Sequence, residues 1–145
     1  MSIPIRRIVC PVDFSAPSTH AYRYARALAD SLGAELHLMH AYTIPALPLP
    51  DGAVVLPAEM ATAMSTRSQS ALDAFIPDDP AERHLCEGPV PDAVAELVER
   101  LGADIVVLGT HGYGPIRRFL LGSVAERVIR SSTVPVLTIP PPEKE

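Results

Sequence analysis

Short apolar runs and segments of helical period alternate along this chain, and that alternation leaves few folds open. Arg7-Ile8-Val9-Cys10-Pro11-Val12-Asp13 is an apolar run ending at a turn-prone acid, the pattern of a strand buried on both faces, and it predicts a strand over 7–13. Ala21, Ala25, Leu28 and Leu32 recur at helical spacing after Ser15, and Gly33 supplies a left-handed stop. A second strand is expected over 35–40. Pro45, Pro48, Pro50 and Pro57 with Asp51-Gly52 then rule out a regular element over 43–57.

Met60, Met64, Ala71, Leu72 and Phe75 predict a helix over 58–75, ended by Pro77 and Pro80. A brief, weak strand over 83–87 follows. Val90, Val94, Leu97, Val98 and Leu101 form the stripe of a third helix closed by Gly102, and residues 104–108 are the clearest strand. Ser123-Val124-Ala125-Glu126 has the form of a capping box and opens a helix to about residue 131. The last strand is expected over 134–139, stopped by Pro140-Pro141-Pro142. Strands alternating with helices predict an α/β fold, a parallel sheet covered on both faces through right-handed crossovers.

A chain of 145 residues suits one domain, with its core over about 5–139 and a short tail at 140–145. The formal charge is −5 and the basic residues are scattered apart from Arg6-Arg7 and Arg117-Arg118, so a nucleic-acid partner is not expected. No apolar run has the length of a membrane span and the N-terminus lacks the layout of a signal peptide; no membrane association and a cytoplasmic location are expected. Cys10 and Cys86 are too few for a disulfide framework and sit outside any metal-binding spacing, which predicts two reduced, largely buried thiols and no resident metal.

Ligands of open parallel sheets bind beyond the carboxyl ends of the strands. The richest such loop runs from Gly109 to Ser123 and holds Gly109, Gly112, Gly114 and Gly122. Glycines let backbone approach a phosphate and turn through positive φ, and the following helix N-terminus offers unpaired N–H groups, so the loop suits an anion. Ser123, Arg117 and Arg118 are candidate contacts. The same residues also suit plain turns, a helix cap and solvated arginines. A phosphate-binding Lys-Ser or Lys-Thr motif is excluded, because the only lysine is Lys144, and no G-x-G-x-x-G follows the first strand.

Gly109, Gly112, Gly122 and Ser123 stand as G-x-x-G, nine residues, then G-S. This pattern resembles the nucleotide loop of ATP-binding universal stress proteins. Ile8 to Ser15, Gly33 to His40 and Ser123 to Val128 are similar to that family as well, and the likeness is colinear from about residue 5 to 139. The resemblance implies a Rossmann-like, open five-stranded sheet in the order 3-2-1-4-5. It implies that Asp13 meets the adenosine end of ATP, that Pro11 and Ala41 line the adenine slot, and that Gly109, His111, Gly112, Gly122, Ser123 and Val124 contact ribose and phosphates, with Mg2+ accompanying the nucleotide. By pattern alone, Asp13 also suits capping the first helix together with Ser15.

Phe14 departs from the family, which often has Gly there; Tyr113 and Pro115 replace residues that are often basic or small. The function implied is adenine-nucleotide binding with a sensory or protective role in stress. Two alternatives stay open: a slow, divalent-metal-dependent ATPase, and a nucleotide-free interaction module. A homodimer paired through strand residues 136–139 is the expected assembly.

Overall fold

The computed structural model describes residues 2–45, 49–52, 56–111 and 120–142. Among these residues nine elements follow one another: β1 (Arg7–Pro11), α1 (Ala16–Leu32), β2 (Glu35–Tyr42), α2 (Ala58–Ala74), β3 (Glu82–Glu87), α3 (Val90–Leu101), β4 (Ile105–Gly109), α4 (Ser123–Ser131) and β5 (Val136–Ile139). The strands form one sheet in the order β3-β2-β1-β4-β5, and every pairing is parallel. The order reverses between β1 and β4.

Alternation along the pleat separates two cores. Ile8, Cys10, Leu38 and Val107 face α1 and α2, where Ala21, Ala25, Leu72 and Phe75 meet them. Val9, Met39, Val106 and Leu108 face α3 and α4, against Val94, Leu97, Val98, Ala125 and Val128. Strands buried on both faces read as near-continuous apolar runs, which is why β1 and β4 are so plain in the sequence.

The ends of the helices explain their register. Ser15 caps α1 by accepting the Ser18 N–H at 3.2 Å, and Gly33 and Gly102 close α1 and α3 in the left-handed conformation, at φ 63° and 62°. β1 stops at Pro11, two residues before the predicted end, because the chain turns through a left-handed Phe14 at φ 67°. β5 begins at Val136 rather than 134, after Pro135, which has no N–H for a ladder.

β2 runs on to Tyr42 because β3 pairs with it at six positions, from His37↔Glu82 to Tyr42↔Glu87. β3 is therefore a full member of the sheet and not the weak strand its sequence predicts. Arg83 secures it: its guanidinium donates to the carbonyls of Leu72, Phe75 and Ile76 at 2.5 to 2.7 Å, tying β3 to the end of α2. α2 is a partial match to its predicted stripe. Leu72 and Phe75 are buried, whereas Met60 is half exposed, so its C-terminal part makes the contact with the core.

Tyr22, Arg26 and Asp79 lock α1 to the turn after α2. Arg26 reaches Asp79 with two nitrogens at 2.6 and 2.9 Å, and the Tyr22 hydroxyl donates to the same carboxylate. Burial pushes the Asp79 carboxyl up, but hydrogen bonds from Arg26, Tyr22 and the Ala81 N–H outweigh it and hold the group at about 2. Cys10 and Cys86 are both free thiols on strands separated by β2; Cys10 is fully buried, with burial pushing it up to about 12, whereas Cys86 is half-buried. Among the described residues no helix is long and apolar enough to cross a membrane.

Candidate functional site

Where the sheet order reverses, a cavity of about 340 Å³ opens beyond the carboxyl ends of β1 and β4. Small-molecule sites commonly span ~300–1,000 Å³. Its floor is apolar, made by Pro11, Val12, Met39, Ala41, Val90 and Leu108, and its far wall is polar, made by Thr110, His111, Gly122 and Ser123 with the start of α4.

Asp13 sits at the β1 side, held by a short network. Its Oδ1 accepts from the Ser15 N–H at 3.0 Å and the Ser15 hydroxyl at 2.5 Å, and its own N–H donates to Ser18 Oγ at 3.0 Å. Ser15, not Asp13, caps α1. The carboxylate buttresses that cap through one oxygen while the residue forms part of the cavity wall. Its Oδ2 takes no part in the network.

Phe14 tolerates a positive φ because its ring packs inward, 4.3 Å between centroids from His40 and 5.7 Å from Phe75. His40 in turn donates from Nδ1 to the Val12 carbonyl at 2.7 Å, so the turn is braced from behind. Phe14 does not line the cavity. The substitution for glycine thus changes the packing under the turn and leaves the slot itself open.

The β4 side is built from backbone. Gly109 and Gly122 both have ordinary negative φ-type conformations, φ −64° at Gly122, so the positive φ expected of the loop glycines is not their reason. Close approach is. A Cβ on Gly122 would stand 2.7 Å from the Thr110 carbonyl oxygen, the same atom that accepts the Gly122 N–H at 2.7 Å. A Cβ on Gly109 would lie 3.2 Å from the His111 carbonyl oxygen and 3.3 Å from that of Pro17, at the first turn of α1.

The predicted capping box does not form. Gly122 is the N-cap of α4, Ser123 is its first residue, and Glu126 turns along the helix to pair with Arg130 at 2.7 Å. A glycine cap has no side chain to satisfy the first N–H groups, and among the described residues no other side chain caps them; with the helix dipole adding positive potential, this opening turn suits an anion. His111 stands beside them, its Nδ1 2.9 Å from Thr110 Oγ1. Among the described residues no Lys or Arg lines the cavity.

The structure therefore brings Pro11, Asp13, Ala41, Gly109, His111, Gly122, Ser123 and Val124 to one cavity. Gly112, Arg117 and Arg118 lie outside the described residues. Sequence reasoning missed Val12, Ser18, Met39, Val90, Leu108, Thr110 and Ala125. Thr110 was within reach, lying between Gly109 and His111; Met39 and Val90 were not, because only the stacking of β2 and α3 beside β1 brings them in.

Fold and site together define an open, doubly wound α/β domain with its pocket at the topological switch point. The sequence profile of the universal stress protein family matches residues 4–140, and the chain belongs to that family. Universal stress protein MJ0531 of Methanocaldococcus jannaschii is 31% identical over 144 residues, covering 97% of this chain and 85% of the relative. A crystal structure of a family member from Burkholderia pseudomallei superposes with a TM-score of 0.72 at 24% identity, over 97% of this chain and 99% of that one. A universal stress protein crystallised in complex with cAMP matches at a TM-score of 0.61 and 26% identity, over 94% of this chain and 98% of that one.

Proposed function

We propose that this protein binds adenine nucleotide, ATP in the first instance, in the cavity between β1 and β4, and that occupancy serves a sensory or protective role in stress. The observation that carries the reading is the division of one cavity into an apolar floor and a wall of uncapped helix N–H groups. Adenine suits the floor at Pro11, Val12 and Ala41, and Asp13 accepts from an amino or hydroxyl group of the adenosine. Phosphates suit the start of α4 at Gly122, Ser123 and Val124, with Mg2+ arriving on the phosphates. That a relative is known with cAMP supports an adenine and a phosphate in this fold.

Leu120, Leu121 and Val124 are half-exposed around the cradle, so occupancy bears directly on apolar surface at its rim. The reading includes a cytoplasmic homodimer, paired through β5. That strand is a sheet edge, and Leu137 on it is 40% exposed. A Leu137→Pro variant removes an edge N–H, so light scattering is expected to give a dimer for the parent and a monomer for the variant.

Mass spectrometry of ligand released from freshly purified, denatured protein tests the nucleotide directly, followed by calorimetric titration with ATP, ADP, AMP and cAMP. Saturable binding of one adenine nucleotide per chain is expected. Protein that is empty as purified and takes up none of the four nucleotides would overturn the reading and favour an interaction module.

A further inference from the structure

Nearer the amino ends of the strands, on the same face as Met39 of the cavity floor, the β2–β3 ladder gathers a second polar cluster. The register pairs His37 with Glu82 and Met39 with His84, so the pleat sets His37, Glu82 and His84 side by side on one face. His37 Nδ1 lies 3.0 Å from His84 Nε2 and 3.5 Å from Glu82 Oε2, and His84 Nε2 lies 4.0 Å from Glu82 Oε1. The His37 side chain is only 5% exposed and that of His84 11%, while Glu82 opens to solvent at 66%.

We propose that His37, His84 and Glu82 form a binding site for one divalent transition-metal cation of the zinc class. Two ligand nitrogens around tetrahedral zinc, each ~2.0–2.1 Å from the metal, stand roughly 3.3 Å apart. The observed separations of 3.0, 3.5 and 4.0 Å bracket that figure, so the site forms by small side-chain rotations without backbone movement. Two imidazoles with one carboxylate suit zinc over calcium or magnesium, which take oxygen donors. The open side at Glu82 leaves the fourth position to water.

Glu35 provides the second observation. Its Oε2 lies 3.2 Å from His37 Nε2, on the ring nitrogen turned away from His84, and is itself held by Arg7 Nε at 3.2 Å. A carboxylate accepting from one ring nitrogen fixes the tautomer and leaves the other nitrogen's lone pair for a metal. In the metal-free protein the contact between His37 Nδ1 and His84 Nε2 carries a proton. Binding one cation at His84 Nε2 shifts that proton to His84 Nδ1, so both imidazoles ligate as neutral rings. The positive charge of Arg100 on α3 acts at His84 and opposes a cation there, so Arg100→Ala is expected to tighten binding.

The test uses full-length, chelator-stripped protein without nucleotide, titrated with Zn2+ against a chromophoric chelator and with Co2+ for its visible absorption. One ion per chain is expected, with the absorption of tetrahedral Co2+ and a Zn2+-dependent rise in thermal midpoint. His84→Ala is expected to abolish all three. Glu82→Gln, a change at an exposed side chain that leaves folding intact, is expected to weaken binding by at least ~10-fold. Absence of saturable one-to-one binding, or equal affinity of the parent and Glu82→Gln, would overturn the site.

Discussion

The two polar regions of this sheet are built from different materials. The β4 wall of the cavity is made of backbone: glycines at 109 and 122 that admit a carbonyl where a Cβ would collide, and a helix start with no side-chain cap among the described residues. The cluster between β2 and β3 is made of side chains, and depends on which residue of one strand lies opposite which residue of the other. A backbone site is written in residues close together in the chain, while a ladder site exists only after pairing. Their expected failures differ accordingly: the first through steric change at a single glycine, the second through loss of a donor atom.

The largest expected effect is at Gly122. Gly122→Val places carbon against the Thr110 carbonyl, so the loop must move. ATP affinity is expected to fall at least ~100-fold, about 2.7 kcal/mol, with overpacking costing a further ~1–3 kcal/mol of stability. Calorimetry and denaturant melts measure the two, and unchanged ATP affinity in a folded variant would break the backbone half of the comparison.

Asp79 is next, and sharpens the contrast because its network with Arg26 and Tyr22 is built from side chains yet lies outside the cavity wall. Its carboxyl is depressed from 3.8 to about 2, which corresponds to about 2 kcal/mol of stability. A depressed carboxyl stabilises above its unfolded value, so the contribution is present at neutral pH and lost as pH falls from near 4 toward 2. Asp79→Asn is expected to remove this pH dependence in urea melts at a series of pH values while leaving nucleotide affinity unchanged.

Asp13→Ala separates the two ends of the cavity. It is expected to cost ATP about tenfold, ~1.4 kcal/mol, and free tripolyphosphate almost nothing, with ~1 kcal/mol of stability lost through the Ser15 cap. Equal losses for both ligands in competition titrations would move Asp13 out of the adenosine end. The smallest effect is expected at Phe14, whose ring faces the core. Phe14→Gly relieves a left-handed φ but forfeits ring contacts with His40 and Phe75, so stability changes while ATP affinity stays within about 0.5 kcal/mol.

Much of this was legible in the chain because apolar period and cap chemistry are local. Ile8-Val9-Cys10 and Val106-Val107-Leu108 announce strands buried on both faces, and Gly33 and Gly102 announce the helix ends. The spacing of Gly109, Gly122 and Ser123 pointed to a loop beside the cavity, and of the two reasons for glycine there, close approach holds at 109 and 122 while positive φ does not. The Ser123-Glu126 capping box misled because Gly122 takes the cap and Arg130 takes the glutamate. β3 looked weak because part of what holds it, the Arg83 contacts with the end of α2, comes from another element.

By itself the sequence determined the alternation of elements, the two-faced burial of the central strands and the loop that borders the cavity, because each rests on neighbours a few residues apart. Tertiary structure alone decided that Met39 and Val90 complete the cavity floor, that Phe14 turns away from it, and that His37 meets Glu82 and His84. Those outcomes follow from strand order and register. A slip of one residue between β2 and β3 would carry the histidines to opposite faces of the sheet, and nothing local to either strand sets that choice.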